Sequence, residues 1–213
     1  MNIVNFEIEE KMWRQGVVLI GVDEAGRGPL AGPVTVGAIA VSISNFKFPI
    51  FKNIKDSKKL SAKKREEWLS LFQNNSKILY TVSSVSNSVI DKKGISHALR
   101  LAVRRCIDKL KTRLPDGQVE NSDLKILLDG SLYAPSEYKQ KTIIKGDEKI
   151  QIIAAASIIA KVTRDRRMVR LAQKYPQYDF HIHKGYGTEL HCKLVKKHGL
   201  CDIHRRSYCS RLI

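Results

Sequence analysis

The chain has 213 residues, 43% of them hydrophobic, enough to bury a proper core in one domain or one domain with a small appendage. Its 38 Lys and Arg outnumber 21 Asp and Glu, and a net charge of +17 favours a polyanionic partner. The longest nearly apolar stretch, IIAAASIIA at 152–160, is too short to span a bilayer, and Glu7, Glu9 and Glu10 occupy the place of a signal's apolar core. A soluble, cytoplasmic protein is expected.

In chain order, FEIEEKMWRQG reads as a short helix closed by Gly16. VVLIGVD follows as a buried strand, and VTVGAIAVS at 34–42 as its hairpin partner, alternating and rich in valine. Ser61 is placed to cap the helix AKKREEWLSLF, with Trp68, Leu69 and Phe72 on its apolar stripe. KILYTVSSV at 77–85 reads as a third strand, and ISHALRLAVRRCIDKL as a helix that gathers Leu99, Ala102, Val103, Cys106 and Leu110 on one side. LKILLDG at 124–130 reads as a central strand and KTIIKGD at 141–147 as another short one. The long helix IQIIAAASIIAKVTRDRRMVRLAQKY is apolar all round in its first turns, so a sandwiched position is predicted, with Ala154 to Ser157 allowing close approach to a sheet. Thr188 to His198 forms a last helix ended by Gly199. Three strands in succession, then strands alternating with helices, indicate a mixed α/β sheet. No repeat or linker interrupts it, so residues 1–213 are read as one domain, with about 175–213 a helical C-terminal part packed on it.

The charge is uneven: residues 161–213 hold 13 Lys and Arg against 4 Asp and Glu. Further basic clusters lie at 52–65 and 100–113, a footprint expected of phosphate-backbone binding. Cys192, Cys201 and Cys209 lie among His191, His198 and His204, but their spacings are too long and irregular for common zinc modules, so reduced thiols are expected.

Acids end three apolar strands: Asp23 and Glu24 after VLIGV, Asp129 after KILL, and Asp147 after TIIKG. If these strands are neighbours, the carboxylates meet at one sheet edge, where mutual repulsion raises their pKa values unless cations neutralise them. An oxygen-rich cluster suits Mg²⁺, with Mn²⁺ as the usual substitute, and two such ions serve phosphodiester hydrolysis. Taken singly, Asp147 reads as a helix N-cap and Asp129 equally as a turn residue, whereas Asp23-Glu24 beside a glycine turn has no simple capping role. Adjacent strand residues point to opposite faces, so both acids serve one site only if the strand twists or ends there.

DEAGRGPLAGPV at 23–34 resembles the opening motif of the bacterial ribonuclease HII family, the type 2 ribonucleases H. DSKKLS (56–61), LLDG (127–130), KGD (145–147), AAASIIAKVTRDR (154–166), HKGYGT (183–188) and HRRS (204–207) continue the resemblance in the family's order. It implies a ribonuclease H-like fold, a central mixed sheet flanked by helices with a small helical C-terminal region. It also implies a monomeric, metal-dependent endoribonuclease acting on RNA–DNA hybrids and on duplex DNA containing single ribonucleotides. Asp23, Glu24, Asp129 and Asp147 would be the catalytic, metal-binding acids. Gly26, Arg27 and Gly28 would contact the ribonucleotide's 2′-hydroxyl, and Tyr186 the next sugar. Lys58 and Arg205 stand as phosphate contacts against ordinary surface charge, Ser157 and Lys161 chiefly as packing residues, and Asp165 as an ion-pair partner of neighbouring arginines.

Overall fold

Period-two alternation along the first apolar run decides the architecture. The computed structural model describes residues 18–41, 51, 54, 59–114 and 124–212; the expected N-terminal helix and Lys58 lie outside them. Strand β1 (Val18–Ala25) pairs antiparallel with β2 (Val34–Val41), which pairs antiparallel with β3 (Leu79–Val85). On its other side β1 pairs parallel with β4 (Leu124–Asp129), and β4 parallel with β5 (Lys139–Ile143), giving the order β3-β2-β1-β4-β5. The C-terminal half of the expected strand 141–147 is instead a turn leading into a one-turn helix.

Side chains on alternate strand positions enter two separate cores. Val18, Ile20 and Val22 face helix α3 (Ile95–Lys111) and its Leu99, Ala102, Val103 and Cys106. Leu19, Ile39 and Leu127 face the opposite way, toward helix α1 (Ala62–Gln73), capped by Ser61 as expected, and a long helix, Gln151–Lys174. Between β3 and α3 lies α2 (Asn87–Lys93), unforeseen because its seven residues carry one buried apolar side chain, Ile90. Gly94, at φ 80°, separates α2 from α3.

After the turn helix α4 (Gly146–Lys149), the long helix α5 (Gln151–Lys174) crosses β1 and β2. Its expected close approach is real, but strand glycines make it possible as much as helix alanines. A Cβ on Gly21 would lie 2.4 Å from the Ile152 carbonyl oxygen, and one on Gly37 2.6 Å from that of Ala156. The second half of α5 carries a smaller core of Met168, Ala172, Tyr178 and Phe180. Helices α6 (Phe180–His183), α7 (Glu189–His198) and α8 (Arg206–Cys209) follow in that C-terminal region.

Candidate active site

Parallel register places the acids. The β1–β4 ladder ends at Val22 opposite Leu128, so the next residues, Asp23 and Asp129, stand side by side where the two strands part. β1 runs on against β2 alone as far as Ala25, which frees the edge beside Glu24. Adjacent residues therefore share one site because the strand loses a neighbour there. One oxygen from each of Asp23, Glu24 and Asp129 lies within 4.8 Å of the others, the only such metal-capable cluster of three among the described residues.

Local hydrogen bonds fix each acid. The Glu24 N–H donates to Asp23 Oδ1 at 2.7 Å, and Ser157 of α5 bonds the Asp23 side chain. Ser157 thus touches the site and does more than pack. Arg27 Nε donates to Glu24 Oε1 at 2.9 Å, and its Nη1 to Ser131 Oγ at 3.0 Å. The Gly146 N–H donates to Asp129 Oδ1 at 2.6 Å. Asp147, the next residue, is buried within α4 and is not the helix N-cap, a position held by Lys145. Three of the four expected acids are brought together, and the fourth adjoins a backbone ligand of Asp129.

The cluster is electrostatically uncomfortable. Burial, and then the charges of Glu24 and Asp129, push the Asp23 carboxyl well above its ordinary range. Burial raises Glu24 as well, against the opposing pull of Arg27. Glu24 Oε2 is buried with no hydrogen-bond partner, an orphaned oxygen on one of the clustered carboxylates. A hard divalent cation satisfies all three conditions: it supplies charge, accepts oxygen ligands and occupies the orphan. The residues fit such an ion.

A cleft of about 390 Å³ joins the acids to Gly26, Arg27, Gly28, Ser157, Lys161 and Tyr186. Three chain segments build its wall. Leu30 N–H donates to the Gly185 carbonyl at 2.8 Å, Gly32 N–H to Ile203 at 2.8 Å, and Arg205 N–H to Leu30 at 2.7 Å. The half-exposed Tyr186 ring lies 5.5 Å from Lys161 Nζ and 5.4 Å from the Arg164 guanidinium carbon. A larger groove, about 960 Å³, continues past Lys161 and Tyr186 to Arg65, Arg166, Arg170 and Lys184.

Two arginines depart from expectation. Arg205 is fully buried, not set on the surface toward phosphate; it donates to the carbonyls of Gly32 (3.0 Å), Arg27 (2.8 Å) and Gly26 (2.6 Å). Burial lowers its pKa to about 10, which leaves it cationic at neutral pH. It shapes the glycine turn from behind. Arg164, also fully buried, donates to Pro33 (3.0 Å) and Ala31 (3.2 Å). Asp165 pairs with Lys161 at 3.0 Å, not with its arginine neighbours, since the i,i+4 position lies on the same helix face.

An α/β sheet whose parted central strands gather carboxylates beside a basic cleft defines a metal-dependent nuclease of ribonuclease H-like fold. The comparisons agree. Ribonuclease H2 from Pyrococcus horikoshii superposes with a TM-score of 0.68 at 27% identity, over 92% of this chain and 97% of that one. Ribonuclease HII from Archaeoglobus fulgidus, solved in complex with PCNA, gives 0.70 at 27% identity, over 91% and 96%. Ribonuclease HII of Caldicellulosiruptor bescii is 44% identical over 209 residues, 98% of this chain and 95% of that one. The ribonuclease HII family model matches residues 20–211, and the chain belongs to that family of endoribonucleases.

Proposed function

We propose that the protein hydrolyses the RNA strand of RNA–DNA hybrids and cuts on the 5′ side of single ribonucleotides in duplex DNA, leaving 3′-hydroxyl and 5′-phosphate ends. The observation that carries this reading is the adjacency of the acid cluster to the Gly26–Gly28 turn and Tyr186 in one cleft. Asp23, Glu24 and Asp129 would hold two Mg²⁺ or Mn²⁺ ions, with Asp147 completing the set. Such ions, when bound, supply Lewis acidity for water activation and leaving-oxygen stabilisation.

The chain's own groups do the recognition. Backbone of the Gly26–Gly28 turn would meet the ribose, with Gly28 presenting open space where a side chain would stand, and the 2′-hydroxyl is the feature that distinguishes RNA from DNA. Arg27 couples that turn to Glu24, so reading the ribose and placing a catalytic carboxylate are linked. Tyr186 offers an apolar face to the following deoxyribose. The basic groove from Lys161 to Arg170 and Lys184 would carry the remaining duplex backbone. The protein would act as a cytoplasmic monomer with residues 1–213 forming one catalytic domain. No helix among the described residues is long and apolar enough to cross a membrane.

The test is cleavage of end-labelled DNA duplex containing one ribonucleotide, beside a continuous hybrid and an all-DNA control, with Mg²⁺, Mn²⁺ or chelator. Cuts 5′ of the ribonucleotide only with metal are expected. Equal cutting of the all-DNA duplex, or undiminished cutting in chelator, refutes the reading.

A further inference from the structure

Beneath the Tyr186 segment lie three buried histidines that the chemistry above does not use: His183, His191 and His204. The His183 and His191 rings stack at 4.2 Å between centroids, and His191 lies 5.2 Å from His204. Their hydrogen bonds leave one consistent arrangement of protons. The Cys201 N–H donates to His204 Nδ1 at 2.9 Å, so that nitrogen is an acceptor. A neutral His204 then carries its proton on Nε2, 3.1 Å from His191 Nε2, which must accept it. His191 consequently carries its own proton on Nδ1 and donates it to the Tyr186 carbonyl at 2.9 Å. Independently, the Gly185 N–H donates to His183 Nδ1 at 3.1 Å, leaving His183 Nε2–H to donate to the Tyr178 carbonyl at 2.7 Å.

We infer that His191 and His204 are positioning residues for Tyr186: a relay of neutral imidazoles, running from the Cys201 amide to the Tyr186 carbonyl, that sets the ring beside the carboxylates. The inference rests on the reading of Tyr186 as the contact to the sugar after the ribonucleotide. His183 supports the same segment through Gly185. The environment keeps the chain neutral. His183 is faced by Asp179, Lys184 and His181; His191 by His183 and His204; His204 by His183 and by the Cys201 thiol, 3.2 Å from Nδ1. Apart from Asp179, none of these favours an added proton, and burial holds His191 and His204 at about 4. A proton on His204 Nδ1 or His191 Nε2 would set donor against donor and break the chain.

The test combines a spectroscopic measurement on the native protein with three variants. In ¹⁵N spectra of histidine-labelled protein, His191 should appear as the Nδ1–H tautomer and His183 and His204 as Nε2–H. All three should stay neutral at and just below neutral pH. His191→Phe keeps a stacking ring but loses both hydrogen bonds; His191→Asn retains a donor where Nδ1 stood. With His191→Phe, kcat/KM on a lone ribonucleotide should fall about tenfold more than on a continuous hybrid, and His191→Asn should recover most of that difference. A merely structural role would depress both substrates equally, in step with Tm. Tyr186→Ala run alongside separates the two ideas. If it shifts the substrate ratio and His191→Phe does not, the relay's role is overturned. If Tyr186→Ala itself leaves the ratio unmoved, the junction reading fails, and the spectra then judge the relay. His191 protonated on Nε2, or any of the three taking up a second proton near neutral pH, overturns it.

Discussion

Gly26→Ala separates the mechanical role of the glycine turn from the ribose contact proposed for it. Gly26 sits at φ +93°, outside the comfortable range of an alanine, a strain of about 1–3 kcal/mol. Its new Cβ would lie 2.0 Å from Arg164 Nε and 2.5 Å from Arg164 Cδ, inside any possible contact. Arg164 is fully buried, so the turn must shift or the guanidinium must abandon the Pro33 and Ala31 carbonyls. Each bond from a charged donor is worth about 1.5–3 kcal/mol, and partial relaxation of the turn keeps the total near the lower end, about 4 kcal/mol. For a chain of this size that corresponds to a fall in Tm of about 8–16 °C. Gly28→Ala is the control, because a Cβ there meets nothing within 4 Å. It should melt within about 2 °C of the parent yet, on the proposed ribose contact, cleave a lone ribonucleotide at least roughly tenfold less well. Thermal melts and single-turnover cleavage on both variants decide the matter. A Gly26→Ala protein that melts like the parent, or a Gly28→Ala protein that melts as low as Gly26→Ala, refutes the reasoning.

Other expectations follow from the same geometry. Asp23→Asn should abolish cleavage while raising the Tm of metal-free protein at neutral pH, by about 2–4 °C per kcal/mol relieved. The sign follows from the raised Asp23 carboxyl: the folded state holds that proton more tightly than the unfolded chain does. Native stability therefore declines as pH climbs from about 4 through the folded pKa, and the Asn variant's advantage should vanish below about pH 4; an unchanged Tm at pH 7 would contradict the electrostatics. Duplex affinity should fall linearly in log–log against salt with a slope of about −0.9 per phosphate neutralised, and a flat profile would dismiss the basic groove. Tyr186→Ala should cost about 1–3 kcal/mol at a lone ribonucleotide, roughly tenfold to a hundredfold, and less on a hybrid with many registers; equal losses on both substrates would sink the junction role.

How much of this was legible depended on whether a residue acts through its neighbours in sequence or across the fold. Strands announced themselves through runs such as VLIGV and KILL, and acids at strand ends were visible because an apolar run meeting a carboxylate is costly without a reason. The convergence of Asp23 and Asp129 needed one more fact, the parallel register, which no local pattern carries. Arg205 was misjudged for a physical reason: an arginine in a basic stretch reads as solvated, and its carbonyl partners, like those of Arg164, lie 131 to 179 residues away. His183, His191 and His204 have no periodic spacing, so no local pattern brings them together, and the spacing weighed against zinc involved only His191 and His204 of the three. Helix α2 escaped notice because one buried side chain makes no stripe.

The arginine behind the glycine turn also bears on how the enzyme is made. Ribosomes deliver the chain from its N-terminus, and the turn carbonyls at Gly26 and Arg27 emerge 179 and 178 residues before the guanidinium that holds them. A nascent chain would thus present the turn beside Asp23 and Glu24 while it still lacks its brace. The turn between β1 and β2 can therefore take its braced form only after residue 205 has been made.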